Sequence, residues 1–158
     1  MKKLLSPITM PSWWQDLVFL FPRVICGYLL AADFGADKFG LPWSPVDKNL
    51  GFFEVAYWFP EDVAQYGGIF KMFPGFFAWM GAFSEAVGGM LLLIGFQTRI
   101  ASFLIVCTML VAIFLQQWGN GTWNMLPAIG FLWVSIFTMV LGSGRFGVDY
   151  LITQKLKK

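Results

Sequence analysis

Glu85 lies within an apolar stretch, residues 84–99, that is suited to a membrane span. A carboxylate in hydrocarbon costs roughly 2.5–3.5 kcal/mol on insertion scales unless it faces a partner or water. Gly88 and Gly89 share a helical face with Glu85, and glycines on such a face let a neighbouring helix approach closely. The spacing therefore predicts that Glu85 points into a helix bundle, where a carboxylate can contact a ligand or move a proton.

Other polar residues are predicted to lie at a similar depth, from a helical rise of about 1.5 Å per residue. With Arg23 and Arg99 marking one membrane boundary, Asp33 lies about 15 Å deep and Glu85 about 21 Å deep in a core of about 30 Å. The predicted polar group in the outer half of the bundle consists of Asp33, Asp37, Lys38, Glu85, Gln116 and Gln117. It indicates either a pocket for a small lipophilic or quinone-like molecule, with carboxylates that move protons, or a buried Lys38–Glu85 ion pair that fixes the helix register.

A second polar group is predicted at the inner face of the bundle, and it consists of Arg23, Arg99, Arg145 and Asp149. Under the positive-inside rule these cations anchor the topology, and an Arg145–Asp149 contact is expected. The alternative is that the group binds lipid head groups or another subunit. Neither interpretation assigns a catalytic residue, and whether the chain is an enzyme stays open.

The composition is that of an integral membrane protein. Charged residues make up 13% of the 158-residue chain and hydrophobic residues 58%, against about 25% charged residues in soluble domains. The net charge of +2 is too small to indicate nucleic-acid binding. The chain has no histidine, the usual haem and metal ligand. Its two cysteines, Cys26 and Cys107, make no metal site and are expected to be buried structural thiols rather than a redox pair.

The two polar groups are expected to lie on the helices of an all-α integral membrane protein with a single domain, residues 1–158. Apolar runs predict a four-transmembrane-helix bundle with spans over about residues 22–39, 75–96, 100–117 and 125–141. An aromatic stripe in residues 12–21 predicts an interfacial helix ahead of Pro22, and the alternative is one continuous helix kinked at that proline. Residues 40–74 form a long aromatic external loop that should lie at the interface or cap the bundle.

Lysine and arginine residues set the predicted orientation. If four spans alternate, one side carries Lys2, Lys3, Arg23, Arg99, Arg145, Lys155, Lys157 and Lys158, whereas the turn over residues 118–124 carries no cation. Both termini are therefore expected in the cytoplasm. The long loop is expected outside, despite Lys48 and Lys71, because its acidic residues offset them.

Three ordered motifs carry a family resemblance. They are Arg23 with Gly27, Gly35 and Lys38 in span 1; the Glu85-Ala-Val-Gly-Gly run through Gly95, Thr98 and Arg99 in span 2; and the Gly142-Ser-Gly-Arg run with Asp149 after span 4. In this order, over nearly the whole chain, they resemble the DoxX family of small four-span membrane proteins. The aromatic N-terminal segment and the long insertion over residues 40–74 depart from a minimal member and suggest a specialised partner or lid.

The resemblance implies a multi-pass protein of the bacterial or archaeal cytoplasmic (inner) membrane. The family is associated with quinone-linked sulfur oxidation and with membrane oxidoreductase complexes that respond to thiol stress. Carried over by position, the family-like polar residues are Lys38, Glu85, Arg99, Arg145 and Asp149. Asp33, Asp37 and the loop aromatics are additions of this chain.

Three hypotheses about function follow. The first is a quinone-interacting subunit of a membrane redox complex that supplies a pocket and proton routes, because the chain has no haem, metal or flavin motif. In it no cofactor is bound covalently, a quinone is the candidate ligand, and the partners are membrane lipid and other membrane subunits. The second is a structural or assembly subunit that docks through the aromatic loop. The third, a small transporter, is disfavoured because the sequence has no inverted repeats or broken helices.

Overall fold

The computed structural model of the chain describes residues 6–45 and 49–156. Within these residues, four helices are long and apolar enough to cross a membrane: Trp13–Phe34, Pro74–Ile94, Thr98–Asn120 and Thr122–Leu141, called spans I to IV below. The prediction of an all-helical protein with four apolar spans is confirmed. The cations Lys2, Lys3, Lys48, Lys157 and Lys158, which the predicted orientation considers, lie outside the described residues.

The α-helices follow one another as α1 Trp13–Leu29, α2 Phe59–Ala64, α3 Gly68–Met72, α4 Pro74–Ile94, α5 Thr98–Val111, α6 Thr122–Leu141 and α7 Val148–Lys155. Span I continues α1 with a π-helical turn, Leu30–Phe34. Span III continues α5 with a π-helical segment, Ala112–Gln117, and a 3₁₀ turn, Trp118–Asn120. Spans II and IV are the single helices α4 and α6.

Span I begins at Trp13 rather than at residue 22, and α1 continues through Pro22 without a break. Its start is set by Ser12, whose N–H donates to Oε1 of Gln15 at 3.2 Å. Proline removes one helical hydrogen bond, a loss that membrane helices tolerate. The structure therefore has the continuous helix and not a separate interfacial helix. The aromatic stripe of residues 12–21, which includes Trp13 and Phe21, is exposed along the N-terminal half of the helix.

Spans I and II pack backbone to backbone through glycine. A Cβ atom at Gly27 would lie 2.6 Å from the backbone N of Leu93, and one at Gly89 would lie 2.8 Å from the backbone N of Ala31. Gly89 therefore provides the close approach that the sequence predicts beside Glu85. Gly88 instead faces span III, where an added Cβ would lie at an ordinary 3.5 Å from the side chain of Ile105.

The segment between spans I and II folds back over the end of span I. Its backbone pairs with residues 38–40, because Ala56 N–H donates to the carbonyl of Lys38 at 2.9 Å and Gly40 N–H donates to that of Glu54 at 2.8 Å. The helix α2 then buries Phe59 in a cluster with the alanines of span II. These contacts fix the backbone of Lys38 against the bundle.

Candidate functional site

Glu85 and Lys38 form an ion pair between spans I and II. The Nζ atom of Lys38 lies 2.6 Å from Oε2 of Glu85, and only 5% of Glu85 is exposed. The ammonium group also lies 5.2 Å from the ring centroid of Phe59 in α2, where the ring face attracts a cation. Glu85 therefore points into the bundle, and its partner is the predicted Lys38.

The end of span I brings Lys38 to Glu85 because Gly35 has no side chain. A Cβ atom at Gly35 would overlap the backbone of Ala86, the residue after Glu85. The chain then turns, with the N–H of Lys38 donating to the carbonyl of Gly35 at 3.1 Å. A larger residue at position 35 would force span I away from span II and separate the two charges.

Asp33 and Asp37 do not join this group, which corrects the prediction from helical spacing. Both side chains are exposed, and neither lines a cavity beside the ion pair. The reason is the π-helical turn: Gly35 N–H donates to the carbonyl of Leu30, five residues back, at 2.7 Å. The buried positions therefore advance by five residues after Leu30, and the two aspartates rotate onto the outer face.

A cavity of about 250 Å³ lies on one side of the ion pair, between the loop helices, span II and span III. Besides Lys38 and Glu85, its wall includes five aromatic rings, those of Phe59, Tyr66, Phe70, Phe76 and Phe77. We call it the aromatic chamber. Ser84 and Thr108 also line it, and their hydroxyl oxygens lie 2.7 Å apart. The chamber is suited to a flat apolar molecule with a polar edge.

A second cavity of about 260 Å³ lies on the other side of the same ion pair, between spans I, III and IV. Besides Lys38 and Glu85, its polar wall consists of Gln116, Gln117 and Asn124. We call it the polar chamber. Gln116 borders both chambers, as the ion pair does. The structure therefore brings together four of the six residues of the predicted outer group: Lys38, Glu85, Gln116 and Gln117.

Tyr66 is the titratable residue of the loop segment that lines the aromatic chamber. Burial, followed by the negative charges of Asp62 and Glu85, raises the pKa of Tyr66 to about 12. A phenol with so high a pKa stays protonated at neutral pH. Tyr66 can therefore offer a hydroxyl donor to a molecule in the chamber.

The inner group divides into two clusters rather than one. In the first, the carboxylate of Asp149 accepts hydrogen bonds from the N–H groups of Gln97 and Thr98 at 2.8 and 2.9 Å and from the Thr98 hydroxyl at 2.9 Å. Because α5 begins at Thr98, this carboxylate caps the positive end of that helix. Arg23, only 1% exposed, donates from Nη2 to the carbonyl of Phe146 at 2.5 Å.

In the second cluster, Arg145 contacts the N-terminal segment and not Asp149, so the predicted Arg145–Asp149 contact is wrong. Nε of Arg145 lies 3.3 Å from Oδ2 of Asp16, and Nη2 donates to the carbonyl of Met10 at 2.8 Å. Asp149 is already committed to capping α5, which leaves Asp16 as the counterion of Arg145. Arg99 lies half-buried, with its Nε atom near Gly142.

Comparison with known families decides the class of protein. The DoxX family model matches residues 18–118, about two thirds of the chain. The chain belongs to the DoxX family. Comparisons with curated proteins and with solved structures each give no match.

The matched stretch of this DoxX protein covers span II and most of spans I and III, so it contains Lys38, Glu85, Gln116 and Gln117. The Gly142–Asp149 motif of the resemblance follows that stretch. Within the DoxX region, sequence reasoning missed Tyr66 as a chamber residue because nothing in its spacing marks it. It also placed Cys107 in the buried interior, whereas Cys107 is exposed and lines the aromatic chamber; Cys26 is buried as predicted.

Two further residues of this DoxX protein were not singled out as site residues. Asp16 is buried and neutralised by Arg145, and the available signal was a carboxylate within an otherwise apolar helix. Asn124 lines the polar chamber, and the sequence marks it only as an uncharged residue near the membrane boundary. Asp16 contacts a residue far away in the sequence, and Asn124 lines a cavity that it shares with span I. The spacing of residues along one helix reports neither.

Proposed function

We propose that this DoxX protein is a quinone-interacting subunit of a membrane redox complex and binds the quinone ring in the aromatic chamber. The observation that carries the proposal is the Lys38–Glu85 pair, a 2.6 Å ion pair placed at the end of a cavity walled by aromatic rings. Intramembrane ionisable residues that face a cavity mark ligand sites and proton relays.

The chemistry of the chamber suits a quinone. The rings of Phe59, Phe70 and Phe77 offer apolar faces to a flat ring. Lys38 is a charged donor for a quinone carbonyl, and the protonated hydroxyl of Tyr66 is a neutral one. The volume of about 250 Å³ is close to the lower end of the roughly 300–1,000 Å³ typical of ligand pockets, which suits one ring with its tail left in the bilayer.

The electrons must come from another subunit. The chain has no histidine and no recognisable haem, flavin or metal motif. Its own residues therefore supply binding, orientation and proton handling. The partner that the proposal requires is a membrane or membrane-bound redox protein.

We also propose that the protein lies in a prokaryotic cytoplasmic membrane with both termini in the cytoplasm. Arg99 precedes most of span III, and Arg145 and Lys155 follow span IV, so these described cations lie at the same end of the bundle. The positive-inside rule places that end in the cytoplasm. The Lys38–Glu85 pair then lies toward the outer leaflet.

The test is titration of purified protein in lipid nanodiscs with a short-tailed ubiquinone analogue, followed by tryptophan fluorescence quenching. The wild type is expected to bind, and Glu85→Gln is expected to bind about tenfold or more weakly, equivalent to about 1.4 kcal/mol or more. Asp33→Asn is the matched control, because it removes an exposed carboxylate that lines neither chamber. No binding by the folded wild type would refute the proposal.

A charge exchange separates the binding site from a purely structural ion pair. Removing one member of a buried pair is strongly destabilising, by about 3–5 kcal/mol, because it leaves the other charge without a partner. The double variant Lys38→Glu with Glu85→Lys keeps both charges. If the pair only fixes the helix register, the exchange preserves stability and quinone binding; if it contacts the ring, stability recovers but binding does not.

A second candidate function is a structural subunit that docks on a larger complex. It is favoured by the outward rings of the loop segment, where Tyr57 is 88% exposed and Phe52 and Phe53 are also exposed. Extraction in a mild detergent followed by native mass spectrometry decides between the two. A stoichiometric assembly that Tyr57→Ser disrupts, together with no quinone binding, would favour docking as the protein's function. A monomer or homodimer would count against docking.

A further inference from the structure

The two chambers meet at the Lys38–Glu85 pair but open toward different surroundings. Cys107 and Phe76 line the aromatic chamber and are both exposed, which indicates an opening beside them. Cys107 lies nine residues into span III from Thr98, or about 14 Å along the helix axis, near the middle of a core of about 30 Å. This opening therefore faces the acyl chains.

The polar chamber reaches the membrane boundary, where span III ends and span IV begins. Gln117 and Asn124 line it there, and Asn124 is exposed. The amides there form a chain, in which Asn120 Nδ2 donates to Oε1 of Gln117 at 3.2 Å and Asn124 Nδ2 donates to the carbonyl of Asn120 at 2.6 Å. The rings of Phe34 and Phe131, which meet edge to face at 5.3 Å, form an apolar part of its wall.

We infer that the polar chamber holds water and connects the Lys38–Glu85 pair to the aqueous phase at the Asn124 end of the bundle. A volume of about 260 Å³ exceeds the roughly 30 Å³ that one water occupies in the liquid, and a buried water needs two to four polar partners. Gln116, Gln117 and the ion pair provide such partners. The inference rests on the proposed function for the identity of the molecule in the aromatic chamber, but not for the presence of water.

The proton in such a route comes from the aqueous phase, is relayed through the water in the polar chamber, and binds a carboxylate oxygen of Glu85. Lys38 keeps its proton, so the carboxyl group of Glu85 is the group that carries a proton toward the aromatic chamber. Among the described residues, two further titratable groups line the aromatic chamber with Lys38 and Glu85: Tyr66 of the loop segment and Cys107 of span III. Neither lines the polar chamber, so water there reaches Glu85 and Lys38 first.

Cysteine reporters test the inference, since one chamber already contains a native thiol. In a Cys26→Ser background, Cys107 reports on the aromatic chamber. In a background without either native cysteine, Ala128→Cys or Gln117→Cys reports on the polar chamber alone. Proteoliposomes are treated with a charged, membrane-impermeant methanethiosulfonate or with a lipophilic maleimide, and labelling is followed by mass spectrometry. The two polar-chamber positions guard against one variant failing to fold.

The charged reagent is expected to label either polar-chamber reporter about tenfold or more faster than Cys107, because thiol modification follows access and thiolate fraction. The lipophilic reagent is expected to label Cys107. If, in folded protein, the charged reagent labels both polar-chamber reporters no faster than it labels Cys107, the water route is overturned. That failure is distinguishable from failure of the proposed function, because quinone titration of the wild type does not depend on the reporters.

Discussion

At the scale of the residue, Asp149 joins two separate parts of the chain, α7 and the turn between spans II and III. It accepts hydrogen bonds from Gln97 and Thr98 of the turn between spans II and III, while its own N–H donates to the carbonyl of Gly95 at 2.9 Å. The side chain lies in α7, beyond span IV. A buried carboxylate with this number of donors stabilises the start of α5 through hydrogen bonds and through the helix dipole.

Asp149→Ala is therefore expected to lower the free energy of unfolding by about 2–3 kcal/mol, the size of a lost charge-assisted bond together with a lost cap. The measurement is reversible denaturation in mixed micelles. Asp33→Asn, at an exposed carboxylate, is the control and should change stability by less than about 0.5 kcal/mol. Equal effects of the two substitutions would refute the capping role.

Tyr66 gives a prediction about pH. Its raised pKa of about 12 means that the folded protein holds a proton that the unfolded chain, with an ordinary tyrosine pKa of about 10, releases earlier. The phenol's contribution to stability is complete below pH of about 10 and is lost as the pH rises toward 12. The wild type should therefore lose stability relative to Tyr66→Phe over that interval.

Ultraviolet difference spectra measure this directly. Subtracting the titration of Tyr66→Phe from that of the wild type isolates one phenolate, whose midpoint is expected near pH 12 in folded protein. Tyr57→Phe, at an exposed position, controls for the removal of a phenol. A Tyr66 midpoint near the ordinary value of about 10 would show that the ring is not buried beside carboxylates.

At the scale of the element, the course of span I depends on positions that carry no side chain and on one π-helical turn. The spans themselves follow from apolar runs, and the sequence locates them except for the start of span I. The turn at Leu30–Phe34 does not follow from periodicity, because it changes the period. The Nε1 group of Trp43 donates to the carbonyl of Ala31 at 3.1 Å, in the region where the turn alters the hydrogen-bond ladder. That contact comes from a residue outside the helix. Helical spacing within span I does not include it, and the prediction therefore placed Asp33 on the wrong face.

Two glycines in membrane helices provide a matched pair of substitutions. A Cβ atom at Gly27 would lie 2.6 Å from the backbone of span II, whereas one at Gly130 would meet nothing within 4 Å. Gly27→Ala is expected to lower the free energy of unfolding by about 1–3 kcal/mol, as overpacking does. Gly130→Ala should be neutral or stabilising by up to about 1 kcal/mol.

Denaturation in mixed micelles compares the two variants, and cross-linking between engineered cysteines on spans I and II reports whether those helices separate. A loss of stability in Gly27→Ala with weakened cross-linking is the expected result. If Gly130→Ala proved the more destabilising of the two, the close packing of spans I and II would be contradicted.

At the scale of the whole molecule, the bundle contains a polar site that two neighbouring chambers share. The sequence predicted the four spans, the inward direction of Glu85 and its partner Lys38, because each rests on apolar length or on charge balance within the membrane. It did not predict the contact of Arg145 with Asp16 or the wall formed by Tyr66. Those contacts join segments far apart in the chain. Which residues meet there depends on how the loops fold over the bundle.

If a quinone ring occupies the aromatic chamber against the Lys38–Glu85 pair, a photoreactive quinone analogue should label the residues around it. The most direct measurement is photolabelling of proteoliposomes with such an analogue, followed by peptide mapping. Labelled residues are expected in 66–77 and 104–112, with labelling removed by excess unlabelled quinone and by Glu85→Gln. Labelling confined to the outward aromatic stripe of residues 13–21, or unchanged in Glu85→Gln, would contradict this placement of the ring.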